Sequence, residues 1–209
     1  MISHTCYARI FSDYTFAVMQ LKQGEVMLYS FEQVRGTTKC PFAKKAKVIE
    51  VSLEEATIGS ICEALSNILP MLTQHTLDAA LISLPEEFTK KPEDIGYALF
   101  HILISLDKTC LAGVESRDWK LYLQNEKFFV ATFWYGFEES SPRKCPEGAF
   151  LLFQPKSSFE RGGLRGDTER KIRLSIRKMF AIGGKPYNQE PLSEAERFLP
   201  DVKWWIEQI

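Results

Sequence analysis

The chain has 209 residues and a mass of 24.0 kDa, which suits one ordinary domain spanning 1–209. Hydrophobic residues make up 45% and charged residues 25%, which excludes wholesale disorder and low-complexity classes. Lys and Arg number 26 against 27 Asp and Glu, a net charge of −1. That balance gives no global reason to bind nucleic acid or an anionic membrane, so neither is expected as a partner and a small-molecule substrate must be recognised locally.

In chain order, Glu25 to Phe31 is a short apolar run suited to a strand, followed by a turn at Arg35-Gly36-Thr37-Thr38. Val48 to Leu53 alternates apolar and polar side chains and predicts a half-buried strand. From Ile58 to Leu72, apolar residues recur at three- and four-residue steps and predict an amphipathic helix. Leu77 to Leu84 stops at Pro85 and reads as a buried strand, although periodicity alone leaves a helical end open. Pro92 with Glu93 and Asp94 marks a first helical turn, and Ile95, Leu99, Ile102 and Leu106 then share one face. Trp119 to Leu123 and Lys127 to Tyr135, separated by Gln124-Asn125-Glu126, predict an antiparallel hairpin.

Gly148 to Gln154 predicts another strand, Pro155 to Glu160 a turn into a short helix, and Asp167 to Phe180 a basic helix stopped at Gly183-Gly184. Ser193-Glu194-Ala195-Glu196 carries a helix-start signal. Several antiparallel strands and interspersed helices, without regular βαβ alternation, predict an α+β fold: a mainly antiparallel sheet covered by helices.

The five cysteines, Cys6, Cys40, Cys62, Cys110 and Cys145, are odd in number and form no CxxC pair, against a disulfide framework or a structural zinc site. The first twenty residues, broken by His4, Arg9 and Asp13, lack the pattern of a signal peptide. A cytoplasmic protein with reduced thiols is the expectation. Oligomeric state is left open, with a homodimer as one option.

Histidine is scarce: His4, His75 and His101. His101 lies within a predicted helix, where an inward ring could ligate a metal; the alternative is a hydrogen-bonded core histidine. Cys40-Pro41 and Cys145-Pro146 are Cys-Pro dipeptides with basic neighbours, Lys39, Lys44 and Lys45 for the first, Arg143 and Lys144 for the second. Nearby positive charge favours a thiolate, so either could be a haem-thiolate ligand; the alternative is a small buried residue at a turn. Basic residues at 161, 165, 170, 171, 173, 177 and 178 offer forks for an acid group or form a solvated helix face. There is no P-loop, dinucleotide fingerprint, GxSxG elbow or SxxK motif.

Four ordered blocks carry a family likeness: Lys39-Cys40-Pro41-Phe42-Ala43; Lys127 to Val130 with Ser140-Ser141-Pro142-Arg143; Phe150 to Glu160; and Ile172 to Asn188 leading to Ser193-Glu194-Ala195. In order and spacing the sequence resembles the YqcI/YcgG family over roughly residues 36 to 200, most of one domain. Lys39 stands where that family usually has proline, no histidine follows Phe133-Trp134-Tyr135-Gly136 where the family has His-Pro, and Pro142 separates Ser141 from Arg143.

Some relatives are haem-dependent N-oxygenases, so the resemblance implies a haem-binding, iron-dependent oxidoreductase: a monooxygenase that N-hydroxylates an amino-acid-like or guanidino substrate. The alternative is a non-catalytic haem or small-ligand binding protein. The metal-ligand candidates are Cys40, His101 and Cys145, with Cys40 first because it lies in a matched block. Tyr135 is a fourth candidate contact to the cofactor, and Arg143 a partner for a propionate or substrate carboxylate. A third reading is an interaction domain using Trp204-Trp205, which otherwise dock a last helix on the core.

Overall fold

The computed structural model describes residues 6–11, 28–53, 56–74, 77–116 and 118–186. Its frame is a six-stranded sheet in the order β1-β2-β3-β6-β5-β4. The strands are β1 (Cys6–Phe11), β2 (Val48–Leu53), β3 (Ala79–Ser83), β4 (Tyr122–Leu123), β5 (Glu126–Trp134) and β6 (Ala149–Pro155). All neighbours pair antiparallel except β2 and β3, which are parallel because the helix α3 (Ile58–Thr73) crosses between them. The α+β class expected from the sequence is the observed one.

Alternation along the strands sends side chains to two faces. Ile49, Val51, Ala80, Ile82, Val130, Leu151 and Phe153 lie on one face, in the large core cluster that includes Ile61, Leu65 and Leu72 of α3 and Ile95, Leu99 and Ile102 of α4 (Pro92–Leu106). The opposite face carries Val48, Ala79, Leu81 and Phe150, which cluster with Val34 of α1 (Leu28–Thr37) and with Cys145. Two short helices also lie on this side, α2 (Pro41–Lys45) and α5 (Lys156–Arg161), the latter leaning Phe159 edge-on against Phe129 at 5.9 Å between ring centroids. A further helix, α6 (Gly166–Ile182), ends at Gly183, and Gly184 takes the left-handed conformation at φ 76°.

Local signals explain most of these boundaries. Thr57 caps α3: its Oγ1 accepts the Ser60 N–H at 3.1 Å, and Ser60 Oγ accepts the Thr57 N–H at 2.9 Å. Thr57→Ala is therefore expected to lower stability by about 1 kcal/mol, read from urea unfolding; an unchanged midpoint would show that the cap contributes nothing. The β4–β5 hairpin turns at Gln124 and Asn125, whose φ values of 51° and 63° are those of a primed turn.

Two expectations fail. Leu28 to Phe31 open a helix instead of forming a strand, with Glu25 to Met27 outside the described residues, and the turn expected at Arg35 to Thr38 is the helix end. A short apolar run does not carry its own period, and here the following turn decides: Val34 packs on the sheet while its carbonyl accepts the Thr38 N–H at 3.0 Å. The strand expected from Trp119 shrinks to Tyr122–Leu123, because Trp119 is buried and donates its indole N–H to the Cys110 carbonyl at 3.2 Å. The helix signal at Ser193 and the Trp204-Trp205 pair lie outside the described residues.

Candidate functional site between α2 and α5

The ends of β2, β3 and β6 bring α2 and α5 together around an open cleft of about 430 Å³. Pro41, Phe42, Lys45 and Ala46 form one wall, and Ser158, Phe159, Arg161 and Gly162 the other, with Asp78 and Gln154 between them. The volume lies within the ~300–1,000 Å³ range of small-molecule sites. Two rings and a few convergent polar groups are the usual lining of such a site.

The polar groups are fixed by the fold. Arg161 Nη2 sits 2.8 Å from Asp78 Oδ1 and donates to the Leu77 carbonyl at 3.0 Å. Asp78 Oδ2 accepts the Lys47 N–H at 2.9 Å, so one carboxylate ties α5 to the starts of β2 and β3. On the floor, Gln154 Nε2 donates to the buried Ser158 Oγ at 2.9 Å, which leaves the Gln154 carbonyl oxygen as an acceptor. Close approach is built in at Gly162, where a Cβ would lie 2.7 Å from Phe42 Cδ1.

Cys40 is not among the residues lining this cleft; it directly precedes the first of them, Pro41. It is the N-cap of α2, is half-buried, and donates its backbone N–H to Thr38 Oγ1 at 3.2 Å. The α2–β2 corner is held by Arg35, whose Nη2 donates to the carbonyls of Lys44 at 3.1 Å and Ala46 at 3.2 Å.

The other candidates stand elsewhere. Tyr135, Arg143 and Cys145 are brought together in the loop that returns from β5 to β6: the Trp134 N–H donates to the Arg143 carbonyl at 3.2 Å, the Cys145 N–H to the Trp134 carbonyl at 3.4 Å, and the Tyr135 N–H to the Gly148 carbonyl at 3.0 Å. None of the three lines the cleft. His101 belongs to α4, which packs on the opposite face of the sheet, and its half-buried ring meets Tyr97 in a tilted contact at 4.3 Å between centroids. It is not a fully buried core residue. Of the basic residues, Arg161 is engaged by Asp78 and Arg173 by Glu169 at 2.6 Å, while Lys171 and Lys178 lie exposed on α6.

Burial reverses the electrostatic expectation for Cys145. Its Sγ donates to the carbonyls of Glu147 at 3.3 Å and Gly148 at 3.5 Å, and loss of solvation pushes the thiol up to about 11 despite the pull of Lys144. Desolvation likewise pushes Cys110 up to about 12. Both stay protonated in the fold while an unfolded thiol ionises, so each contribution is complete below 9.0 and lost as pH rises, toward about 11 for Cys145 and about 12 for Cys110. Stability is expected to fall across that interval, and Cys145→Ala to flatten the fall; equal slopes in the two proteins would contradict the assignment.

Among the described residues, no group of three or more His, Cys, Asp or Glu is placed to hold a metal ion, and no helix is long and apolar enough to cross a membrane. No family model matches the chain, and no curated protein or solved structure matches it either.

Asp78, Gln154 and Ser158 were not legible as site residues. Asp78 sits in an apolar run that reads only as a strand, and Gln154 and Ser158 belong to a block whose chemistry appears only once α5 folds against β6.

Proposed function

We propose that the chain is a haem-binding oxidoreductase that hydroxylates nitrogen in an amino-acid-like or guanidino substrate, with the α2–α5 cleft as its site and Cys40 as the iron ligand. The observation that carries this reading is spatial convergence of the sequence blocks that resemble the YqcI/YcgG family. Pro41 and Phe42 of the first block face Gln154, Ser158 and Phe159 of the third across one cleft. Phe129 of the second touches Phe159 edge-on at 5.9 Å, and a Cβ on Gly183 of the fourth would lie 3.1 Å from Lys39 Cε. Blocks more than a hundred residues apart in sequence share one neighbourhood, as a binding site requires.

Phe42 and Phe159 offer ring surface to a flat body. This reading assigns the iron to Cys40, the residue before the lining Pro41, because a haem iron, already held by its macrocycle, needs only one soft side-chain donor. Haem supplies the activation of oxygen or peroxide; the chain binds and orients the cofactor and substrate. Gln154, its amide anchored on Ser158, can accept a hydrogen bond from a nitrogenous substrate, and the two rings displace water from the apolar part of the cleft.

A second reading, a small-ligand binding protein without catalysis, is favoured by one observation: neither histidine nor cysteine is found among the residues lining the cleft. Reconstitution with haemin separates the two. A stoichiometric Soret band altered by Cys40→Ala, unchanged by His101→Ala and Cys145→Ala, and accompanied by N-hydroxylated product with an oxidant is the expected result. A specific band without product from any nitrogenous substrate supports the second reading, and no specific band overturns the haem assignment.

A further inference from the structure

Two cations line the α2–α5 cleft, and only Arg161 is engaged by another of the described residues. Arg161 is held by Asp78 at 2.8 Å and by the Leu77 carbonyl at 3.0 Å. Lys45 is exposed, and its ammonium has no ion pair or hydrogen bond among the described residues. With Asp78 balanced by Arg161, the lining keeps one net positive charge, and it belongs to Lys45. The backbone beneath that lysine is fixed on both sides, since Arg35 grips the carbonyls of Lys44 and Ala46. The fold therefore holds the base of Lys45 at the cleft while leaving its charge available.

We propose that the cleft recognises a carboxylate borne on a flat apolar body, with Lys45 meeting the carboxylate and Phe42 and Phe159 the body. The inference rests on the cleft being the binding site, but not on haem being its occupant. A haem propionate and a free aromatic carboxylate present the same chemistry, and both complement a cation at the mouth of an aromatic-walled cleft. It assigns the acid-binding role to Lys45 in place of Arg143, which stands in the β5–β6 loop away from the cleft lining.

The test uses the full chain and three probes: haemin and haemin dimethyl ester followed by Soret titration, and naphthoate followed by calorimetry. Lys45→Glu is expected to weaken haemin and naphthoate binding by about tenfold, the scale of one charge-assisted contact at a partly open site, and Lys45→Arg to retain it within about twofold. The dimethyl ester should bind the wild type and Lys45→Glu alike, and the exposed Lys171→Glu serves as the charge control. If haemin binds Lys45→Glu as tightly as wild type, the inference falls while the haem reading stands. If naphthoate binds through Lys45 and haemin does not bind, the haem reading falls and the inference stands. If neither binds, both fall.

Discussion

Replacing Trp134 by alanine is expected to cost about 3–5 kcal/mol of stability, as large-to-small changes at buried aromatic sites do. The indole is 9% exposed and donates its N–H to the Thr89 carbonyl at 2.6 Å, joining the end of β5 to the turn that precedes α4. It also lies against Gly136, where a Cβ would sit 2.3 Å from the ring, and meets Phe137 edge-on at 5.5 Å between centroids. The Trp134 backbone bonds Arg143 and Cys145, so the same residue pins the loop carrying three of the sequence-derived candidates. Trp134→Phe should retain much of the packing and lose the hydrogen bond, costing about 1–3 kcal/mol for the carbonyl left without its donor. Urea unfolding of both variants checks this; a loss below about 1 kcal/mol for the alanine variant would show that the indole is not the clamp described.

Gly162→Val is expected to weaken ligand binding at the cleft by about tenfold with little change in stability, because it displaces one aromatic wall without emptying the core. Gly162 has an ordinary backbone conformation at φ −71°, so the substitution is not opposed by the chain itself. What opposes it is Phe42, whose Cδ1 and Cε1 lie 2.7 and 3.0 Å from the position a Cβ would take. The half-buried Phe42 ring must swing away from α5. Haemin titration beside a thermal melt distinguishes the outcomes: unchanged affinity would show that Phe42 does not form the wall, and a collapsed melting temperature that the contact serves folding instead.

Much of the scaffold was legible because its elements carry their own periodicity or punctuation. Ile61, Leu65, Ile68 and Leu72 spell out the buried face of α3, Pro92 with its acids marks the start of α4, and Gln124-Asn125 announces the β4–β5 turn. Leu28 to Phe31 failed because a short apolar run has no period of its own, and its helix depends on Val34 reaching the sheet. The site was less legible for a related reason. Cys40-Pro41-Phe42 stood out as a motif, but its partners Asp78, Gln154 and Arg161 come from three other segments, and only the sheet order that places β6 beside β3 brings them together. Sequence also could not weigh burial against charge at Cys145. Lys144 next to it suggested a thiolate, whereas full burial of the Cys145 side chain within the β5–β6 loop keeps a neutral thiol bonded to two carbonyls.

The claim that haem sits at the α2–α5 cleft against Cys40 is tested most directly by thiol footprinting. Cys40 is alkylated with and without one equivalent of haemin and quantified by mass spectrometry, with Cys62 as the internal reference. Cys62 is half-buried beside α4, with Sγ 3.8 Å from the Ile102 carbonyl, on the opposite face of the sheet from the cleft. The expected result is protection of Cys40 that saturates at one haemin per chain while Cys62 reacts unchanged. Equal alkylation of Cys40 under saturating haemin would contradict the account.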